Sequence, residues 1–425
     1  MMEIDPPRQT RAWVLHPEIK SDNSRRAAAP ALQEAVSLTN AMPDMLVVGA
    51  EIVPLRKVRA GVLFGKGKIA DLKATFKAQD IELVLIDGAL TPVQQRNLEQ
   101  EWDVKILDRT GLILEIFSDR ARTREGVLQV EMAALSYQRT RLVRAWTHLE
   151  RQRGGLGFVG GPGETQIEAD RRAIDEAITR LKRQLSKVVK TRELHRASRK
   201  KVPFPVVALV GYTNAGKSTL FNRLTGAKVM AKDMLFATLD PTMRSVVLPS
   251  GQEIILSDTV GFISDLPTEL VAAFRATLEE VLDADLLIHV RDISHVDTVE
   301  QARNVAAVLD QLGVPEDAKM LELWNKIDLL EPEEQAARIE QASRHEDKFA
   351  ISSVTGQGID AVLQAISDQL TDPKTACELL IPYAEGRKRA WLFEQGLLTS
   401  EESTDEGFRV QVLWTARQQK QYREM

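Results

Sequence analysis

A phosphate-binding signature sets the strongest limit on how this chain folds. Gly211-Tyr-Thr-Asn-Ala-Gly-Lys-Ser218 fits the pattern G-x-x-x-x-G-K-[ST] and lies between the apolar run Val206–Val210 and the helix-forming Thr219–Thr225. Its glycines let consecutive backbone N–H groups point at phosphates, and the N-terminus of the following helix adds positive potential. The pattern predicts a strand–loop–helix unit of an α/β domain, in which Lys217 reaches the β- and γ-phosphates and Ser218 binds Mg²⁺.

Three further motifs stand at the ends of predicted strands. Asp258-Thr-Val-Gly261 offers a carboxylate for the water shell of Mg²⁺ and a glycine N–H that can sense a γ-phosphate. Asn325-Lys-Ile-Asp328 offers an aspartate that can accept both the N1–H and the N2 amino group of guanine, whereas adenine has no matching donor pair. Ser352-Ser-Val354 is placed where a backbone N–H can meet the guanine O6. Together with the phosphate loop, their order predicts a guanine-nucleotide-binding domain.

Composition divides the chain into segments and indicates a multidomain α/β fold. Residues 1–43 are polar and rich in Pro and Ala, so we expect a mobile segment with a short helix around Ala31–Leu38. The nucleotide-binding domain should have a mostly parallel sheet with helices on both faces. The predicted boundaries are 44–119 for an N-terminal α/β domain, 120–201 for a basic helical hairpin, 203–372 for the nucleotide-binding domain and 375–425 for a C-terminal α/β domain. The C-terminal domain should contain a helix near Arg387–Gln395 and a final strand, Arg409–Leu413.

The N-terminal domain contains one weaker phosphate-site pattern. Gly65-Lys-Gly-Lys68 follows a predicted strand, Val62–Phe64, but no other part of a nucleotide fingerprint accompanies it, so a plain turn is the simpler interpretation. The remaining predicted elements of this domain are strands at Glu82–Ile86 and Val104–Leu107 and helices at Lys68–Phe76 and Thr91–Trp102.

Residues 120–201 have the 4-3 spacing of apolar residues that is typical of a coiled-coil seam. One series precedes the stretch Gly154–Gly163 and a second follows it: Leu128, Met132, Leu135, Leu142, Trp146 and Leu149, then Ile174, Ile178, Leu181, Leu185 and Val188. Six glycines in ten residues cannot continue either helix. The pattern therefore predicts an antiparallel helical hairpin with a flexible tip.

The charge of the chain is unevenly distributed. Its 425 residues include 56 Lys and Arg against 61 Asp and Glu, a net charge of −5 that excludes a uniformly basic nucleic-acid binder. Residues 120–201 carry 20 Lys and Arg against 9 Asp and Glu, a balance of +11 that leaves −16 elsewhere. Such a surplus suits a phosphate-dense surface such as RNA, and the alternative is a solvated charged coiled coil. The arginines predicted toward the tip are Arg139, Arg141, Arg144, Arg151, Arg153, Arg171 and Arg172.

Cysteine content and hydropathy indicate the cellular compartment of the protein. The single cysteine, Cys377, excludes an internal disulfide and a cysteine zinc site, and it fits a reducing compartment. No apolar run approaches the roughly 18–20 residues that a membrane span needs. The first residues have Pro and charge where a signal peptide would need an apolar core. We therefore expect a cytoplasmic protein, and nothing in the sequence requires more than a monomer.

Several longer runs resemble the HflX family, in the Obg–HflX branch of translation-factor-related GTPases. They are Phe236–Thr242, the DTVGF run, Arg120–Gly126, and Gly161–Glu168 followed by Asp170-Arg171-Arg172. The resemblance spans about residues 47 to 413. It implies a GTPase that binds the large ribosomal subunit, with the hairpin of residues 120–201 on its ribosomal RNA, and that splits stalled or idle ribosomes under stress.

The resemblance also implies roles for residues of the site. Thr238 is similar to the switch threonine whose hydroxyl completes the Mg²⁺ shell only with GTP, and Thr242 is the nearby competitor. The expected catalytic residues are Lys217, Thr238 and Gly261, and the expected Mg²⁺ residues are Ser218, Thr238 and, through water, Asp258. The expected GTP contacts are Gly211, Tyr212, Thr213, Asn214, Ala215, Gly216, Lys217, Ser218, Thr219, Phe236, Ala237, Thr238, Leu239, Asp240, Asp258, Thr259, Val260, Gly261, Asn325, Lys326, Asp328, Ser352, Ser353 and Val354.

Two phenylalanines depart from related patterns. Phe262 stands where many small GTPases have the glutamine that orients the attacking water, so intrinsic hydrolysis should be slow and a partner, the ribosome, should stimulate it. The alternative is that Phe262 packs in the core while another side chain orients the water. At the hairpin tip many family members have an arginine before Pro-Gly-Glu, whereas this chain reads Phe158-Val-Gly-Gly161. Phe158 either stacks on a base or packs on the hairpin.

Two other functions are compatible with the sequence. One is an ATP-dependent RNA-remodelling factor that acts through the N-terminal half of the chain, since members of the family that the chain resembles have been credited with ATP use there. The other is a ribosome-assembly or hibernation factor that holds GTP as a structural ligand.

Overall fold

The computed structural model describes residues 9–20, 27–152, 162–199, 204–227, 235–236, 238, 242–264, 281–315, 317–370 and 375–423. The strands are β1 (Thr10–Ile19), β2 (Met45–Leu55), β3 (Leu83–Ile86), β4 (Lys105–Asp108), β5 (Val206–Gly211), β6 (Thr242–Val247), β7 (Glu253–Asp258), β8 (Leu286–Asp292), β9 (Met320–Asn325), β10 (Lys348–Ala350), β11 (Thr375–Ile381), β12 (Leu398–Thr404) and β13 (Gly407–Trp414). The helices are α1 (Ala28–Asn40), α2 (Lys66–Ala78), α3 (Pro92–Trp102), α4 (Arg109–Arg120), α5 (Arg124–Gln152), α6 (Pro162–Arg199), α7 (Lys217–Thr225), α8 (Thr298–Leu312), α9 (Pro332–Ser343), α10 (Ile359–Leu370), α11 (Gly386–Glu394) and α12 (Ala416–Arg423).

The chain divides into two compact units. The first comprises residues 1–247 and 253–362, and the second comprises 248–252 and 363–425. No helix of the described ranges combines the length and the apolar character that crossing a membrane requires. The predicted contacts Ala237, Leu239, Asp240 and Phe158 lie outside the described residues.

The N-terminal sheet corrects the prediction of a mobile segment over residues 1–43. Its strand order is β2-β1-β3-β4, and the strand pairs are parallel. β1, at Thr10–Ile19, therefore lies inside the sheet, and Ala12, Val14 and Leu15 are completely buried. Residues 10–19 are ordered because this apolar strand fills the sheet between β2 and β3, and α1 extends beyond the predicted Ala31–Leu38.

The loop before α2 also differs from the prediction. Val62–Phe64 does not form a strand: Leu63 makes one isolated bridge to Arg59 and has a φ of +58°. In α2 the ammonium group of Lys68 pairs with the carboxylate of Glu51. Because Lys68 is already engaged within the domain, the Gly65–Lys68 segment has the character of a turn and helix start rather than of a phosphate site.

α5 and α6 form the predicted hairpin, and an ion pair of 3.0 Å between Arg139 and Asp175 joins them. Ile178 and Leu181 of the predicted seam are buried. The base of α5 has a second contact face that the seam did not predict: Val130 and Ala133 belong to an apolar cluster that includes residues of α4. A coiled-coil spacing of apolar residues predicts only one contact face of a helix, whereas α5 uses two faces, one toward α6 and one toward the apolar cluster with α4.

The central sheet of the first unit places the nucleotide motifs on one edge. Its order is β10-β9-β8-β5-β7-β6, with parallel pairs except for the antiparallel β6–β7 pair. The carboxyl ends of β5, β7 and β9 therefore meet at the same edge, where α/β sheets bind ligands. These ends carry the phosphate loop, Asp258 and Asn325.

The second unit contains a three-stranded antiparallel sheet with the order β11-β13-β12. The predicted final strand Arg409–Leu413 lies within β13, and the predicted helix near Arg387–Gln395 corresponds to α11. The core of this unit includes Leu392, Val410 and Trp414. β12 has no counterpart among the predicted elements because its sequence, Leu398–Thr404, is mostly polar and exposed.

Candidate nucleotide-binding site

The phosphate loop connects β5 to α7 and directly contacts Asn325 of the predicted guanine-recognition motif. Gly216 has a φ of +96°, and a Cβ atom there would lie 2.1 Å from Nδ2 of Asn325. That amide nitrogen donates a 2.8 Å hydrogen bond to the carbonyl oxygen of Ala215. Only glycine allows both the backbone conformation and this close approach. Asn325 thus holds the phosphate loop to the end of β9.

Lys217 is buried at the first turn of α7. Its Nζ donates hydrogen bonds of 3.0 and 2.7 Å to the carbonyl oxygens of Gly211 and Tyr212. Burial lowers the pKa of Lys217 to about 8, although the carboxylate of Asp258 opposes this change. An ammonium group that is costly to bury here would gain from the negative charge of nucleotide phosphates.

Three oxygen-bearing side chains converge beside Lys217. Ser218 Oγ donates to Asp258 Oδ2 at 2.7 Å, and Thr238 Oγ1 donates to the same oxygen at 2.9 Å. The two hydroxyl oxygens are themselves 2.9 Å apart. Thr242, the alternative switch threonine, begins β6 and lies opposite Asp258 in the strand register. The side-chain contacts therefore favour Thr238 over Thr242.

The same cluster suits a magnesium ion. Burial raises the pKa of Asp258, although the Lys217 charge and the hydrogen bonds from Ser218 and Thr238 oppose this change. Asp258 Oδ1 is buried and has no hydrogen-bond partner among the described residues. Mg²⁺ prefers hard oxygen ligands and often keeps several of its waters. The donor set of two hydroxyls and one carboxylate fits that preference.

Asn325 connects the two segments that are predicted to bind guanine. Its Oδ1 accepts hydrogen bonds of 2.9 Å from both the backbone N–H and the hydroxyl of Ser353. Lys326 forms a 2.8 Å ion pair with Asp292 at the end of β8. Asp328 lies in a short 3-10 helix, where its side chain is exposed. Asn325 thus supports the motif from inside while Asp328 faces outward.

Arg223 of α7 also holds the predicted guanine loop, and the sequence motifs did not indicate it. Its Nε donates to the carbonyl oxygen of Ser353 at 2.7 Å, and a second guanidinium nitrogen donates to the carbonyl oxygen of Val354. A Cβ atom on Gly356 would lie 2.6 Å from the Arg223 Nη1. The helix that starts at the phosphate loop therefore fastens the loop that follows β10.

Gly261 and Phe262 pack against the phosphate loop through the backbone. The Thr213 N–H donates to the Phe262 carbonyl oxygen at 2.7 Å, and the Phe262 N–H donates to the Gly211 carbonyl oxygen at 3.1 Å. The Phe262 side chain is 1% exposed and lies in the apolar core. A Cβ atom on Gly261 would lie 3.0 Å from Lys217 Nζ. This burial agrees with the alternative interpretation of Phe262 as a core residue.

Several predicted contact residues direct their side chains away from the phosphate loop. Thr259 donates a hydrogen bond of 2.6 Å to the carbonyl oxygen of Leu209, and Val260 lies in the apolar core. The ring of Phe236 stacks edge-on against Phe117 of α4, with ring centroids 4.5 Å apart. These residues can support the site through their backbone and packing, but their side chains are engaged elsewhere.

The N-terminal domain reaches the site through side chains that no local sequence signal identifies. The hydroxyl of Tyr212 hydrogen bonds with the Glu34 carboxylate and accepts a 2.8 Å hydrogen bond from the N–H of Ser264. Arg109 pairs with Glu34 and Asp87 and donates to the carbonyl oxygen of Ser264 at 2.9 Å. The segment after Gly261 is therefore held from both domains.

The hairpin arginines differ in their availability. Arg141 is partly buried: it donates to Asp108 at 3.1 Å and lies over the ring of Tyr137. The Arg141 guanidinium is therefore engaged at the base of the hairpin, away from the tip where it was predicted to lie. Arg139 pairs with Asp175, whereas Arg172 is exposed. The side chains of Arg144, Arg151 and Arg153 lie outside the described residues.

Four family models match successive segments of the chain. They are "GTP-binding GTPase N-terminal" at residues 29–118, "GTP-binding GTPase Middle Region" at 120–199, "50S ribosome-binding GTPase" at 206–326 and "HflX C-terminal domain" at 337–424. The fold and the phosphate-loop site, together with these matches, define a P-loop GTPase of several domains. Curated relatives narrow the class further.

Two relatives named GTPase HflX cover most of the chain. The protein from Magnetococcus marinus is 47% identical over 91% of this chain and 87% of its own length. The protein from Escherichia coli is 46% identical over 81% of this chain and 80% of its own length. The crystal structure of SsGBP with GDP aligns with a TM-score of 0.49 and 24% identity, covering 85% of this chain and 98% of that one. The chain belongs to the HflX family of GTPases.

Proposed function

We propose that this protein is a Mg²⁺-dependent GTPase that binds the large ribosomal subunit and splits stalled or idle ribosomes under stress. The observation that carries the proposal is the contact of Thr238 with Ser218 and Asp258, because it joins the predicted switch loop to the predicted Mg²⁺ site. Ribosomes occupy the cytoplasm, so this function implies a cytoplasmic protein.

The proposed roles within the site follow from the contacts. Backbone N–H groups of residues 211–219 cradle the phosphates, and Lys217 moves from the loop carbonyls to the β- and γ-phosphates. Ser218, Thr238 and, through water, Asp258 would hold Mg²⁺, which would neutralise the charge that develops on the phosphates. Asp328 accepts the guanine N1–H and N2 amino group, while Ser353 and Val354 meet the base from the other side.

The proposed switch is the loop that carries Thr238. Because Thr238 contacts both Ser218 and Asp258, a bound γ-phosphate and its metal ion would hold this loop, and hydrolysis would release it. Gly261, packed against Lys217, would sense the same phosphate through its N–H. GTP then favours the ribosome-bound form, and hydrolysis drives release.

The proposed ribosome contact is the hairpin. The family model that matches residues 206–326 is described as a 50S ribosome-binding GTPase. On α6 the cationic side chains of Arg172, Arg180 and Arg183 are exposed. Cations on an exposed helix can neutralise RNA phosphates, so binding should weaken as salt increases. A variant with Arg180 and Arg183 changed to Glu should lose subunit binding, while Arg338→Glu on α9 combined with Arg344→Glu directly after it serves as a matched control.

Sedimentation tests the proposal as a whole. Ribosomes mixed with the protein and a non-hydrolysable GTP analogue should separate into subunits, with the protein on the large one, and GDP should leave them intact. Intact ribosomes under every nucleotide condition would contradict splitting and leave only binding or assembly. Lys217→Ala should abolish nucleotide-dependent splitting. If the Lys217→Ala variant binds the subunit equally well with every nucleotide, the result would favour the alternative in which GTP is only a structural ligand.

Asp328→Asn separates the GTPase from an ATP-dependent RNA-remodelling function. The substitution replaces a double acceptor by an amide, so GTP affinity should fall strongly, up to about 10⁴-fold. Ribosome splitting should fail at the GTP concentration that supports the unsubstituted protein. Unchanged remodelling with ATP in this variant would assign the main activity to the N-terminal half.

A further inference from the structure

Phe262 stands at the position where many small GTPases have the glutamine that orients the attacking water. Phe262 is fixed on both sides by backbone hydrogen bonds to Gly211 and Thr213, and its ring is 1% exposed. Its ring can therefore neither turn toward the phosphates nor hydrogen bond with water. Any orienting group of this chain must come from another position near the γ-phosphate.

Thr213 is the residue that meets this requirement. It is 6% exposed, and its hydroxyl oxygen is buried with no hydrogen-bond partner within the described ranges. A buried hydroxyl without a partner is costly, so it indicates a ligand or a reacting group that satisfies it. Thr213 belongs to the phosphate loop. Two other polar side chains of this loop, those of Tyr212 and Lys217, already form hydrogen bonds within the protein.

Two neighbours place Thr213 beside the position proposed for the γ-phosphate. A Cβ atom on Gly261 would lie 2.8 Å from both the Cα and the methyl carbon Cγ2 of Thr213 and 3.0 Å from Lys217 Nζ. Gly261, the methyl group of Thr213 and the Lys217 ammonium group therefore meet at one point, and a change of the Thr213 χ1 rotamer exchanges the methyl group for the hydroxyl there. Thr213 also lines a cleft of about 190 Å³ between the phosphate loop, α1 and α8. Water can approach the loop through this cleft.

We propose that Thr213 is a catalytic residue whose hydroxyl orients the attacking water in place of the missing glutamine. This inference rests on the proposed roles of Lys217 and Gly261 at the γ-phosphate. The water oxygen forms a bond to the γ-phosphorus as the bond between that phosphorus and the β–γ bridging oxygen breaks. One water proton stays on the phosphate product, the other passes to solvent, and Thr213 is chemically unchanged.

The test compares Thr213→Val with Thr213→Ser. Valine keeps the shape and removes the hydroxyl, so single-turnover GTP hydrolysis should fall about 10²-fold, the usual effect of losing one such polar contact. GDP affinity should stay within about twofold, because the hydroxyl acts only during hydrolysis. The GDP–aluminium fluoride complex, a mimic of the transition state, should weaken in parallel with the rate. Serine keeps the hydroxyl and should retain the rate within about threefold.

Three results would overturn the inference. They are an unchanged rate in Thr213→Val, an equal loss in Thr213→Ser, which would assign the effect to the methyl group, and a loss of GDP affinity that matches the loss of rate. Failure of the underlying GTPase assignment appears differently: the unsubstituted protein would then bind neither GTP nor GDP–aluminium fluoride.

Discussion

Arg109 of α4 donates a 2.9 Å hydrogen bond to the carbonyl oxygen of Ser264, which lies 155 residues later in the chain. The same guanidinium pairs with Asp87 and Glu34 and is only 6% exposed. Burial alone would raise the pKa of Asp87, but the hydrogen bonds and charges of His16 and Arg109 bring it below its ordinary value. One side chain thus links the N-terminal domain to the segment that follows Gly261.

Arg109→Gln should destabilise the protein strongly. The substitution leaves the buried carboxylates of Asp87 and Glu34 without their main cation, and removing one partner of a buried pair costs about 3–5 kcal/mol. The midpoint of urea unfolding measures this loss. Arg139→Gln is the matched control, because it breaks an ion pair whose side chains are 46% and 44% exposed. That change should cost less than about 1 kcal/mol, and equal losses in the two variants would contradict the buried link.

Phe262→Gln should not create a faster GTPase. The position is buried in the apolar core, so the new amide would lie among apolar side chains instead of reaching water. We expect a loss of stability of about 3 kcal/mol or more and no gain in the single-turnover hydrolysis rate. Phe262→Leu, which stays apolar, is the control for lost packing. A tenfold faster rate in Phe262→Gln would refute the core assignment.

Arg223→Ala should speed GDP release. The guanidinium holds the loop at Ser353 and Val354 through their carbonyl oxygens, and losing it frees the base-binding loop from α7. A cost of about 1.4 kcal/mol corresponds to roughly tenfold faster dissociation, which stopped-flow fluorescence of a labelled GDP can record. Arg303→Ala removes an exposed arginine of α8 and should leave the rate unchanged. An unaltered rate in Arg223→Ala would mean that Asn325 alone positions the loop.

Nucleotide affinity should depend on pH through Lys217. Burial holds its pKa at about 8 in the nucleotide-free protein, so the ammonium is charged below that pH and increasingly neutral above it. GDP affinity should therefore be level below pH 8 and then fall by up to about tenfold per pH unit. The stability of the fold has the opposite pH dependence. Burying the charged Lys217 destabilises the folded protein fully below pH 8, and this cost fades as the pH rises toward 10.5, the pKa of Lys217 in the unfolded chain.

Titration calorimetry between pH 6.5 and 9 checks the binding prediction. Lys217→Arg is the control, since a guanidinium stays charged throughout this range. Its affinity should be weaker but free of a break near pH 8. A break of equal size in both proteins would assign the pH dependence to another group.

The motifs of the nucleotide site could be predicted because each is a local pattern at a strand end. The placement of Asp258 and Asn325 on one sheet edge follows from parallel strands, which sequence rhythm also indicates. The links made by Arg109 and Arg223 could not be predicted in this way. They join residues 155 and 130 positions apart, and no local propensity records such contacts.

β1 shows why an element near the start of the chain went unrecognised. Its sequence contains Pro17, and a proline within an apolar run argues against an interior strand. In the structure the pairing with β3 covers only Ala12–Leu15, so Pro17 lies beyond it and needs no N–H on that side. The ion pair of Arg141 with Asp108 could not be predicted for a related reason, since a count of charges does not reveal which arginines pair with buried carboxylates.

The position of β1 also affects how the protein is made. Its ladder partners in β3 are about 70 residues later in the chain, so at roughly 5–20 residues per second the apolar segment waits about 4–14 s after its own synthesis for them. During that interval its β3 side is an unpaired strand edge on a nascent chain, even after β2 has paired with the other side, and such edges can pair with other chains. A protein proposed to relieve stalled ribosomes would itself be vulnerable whenever translation pauses within its first domain.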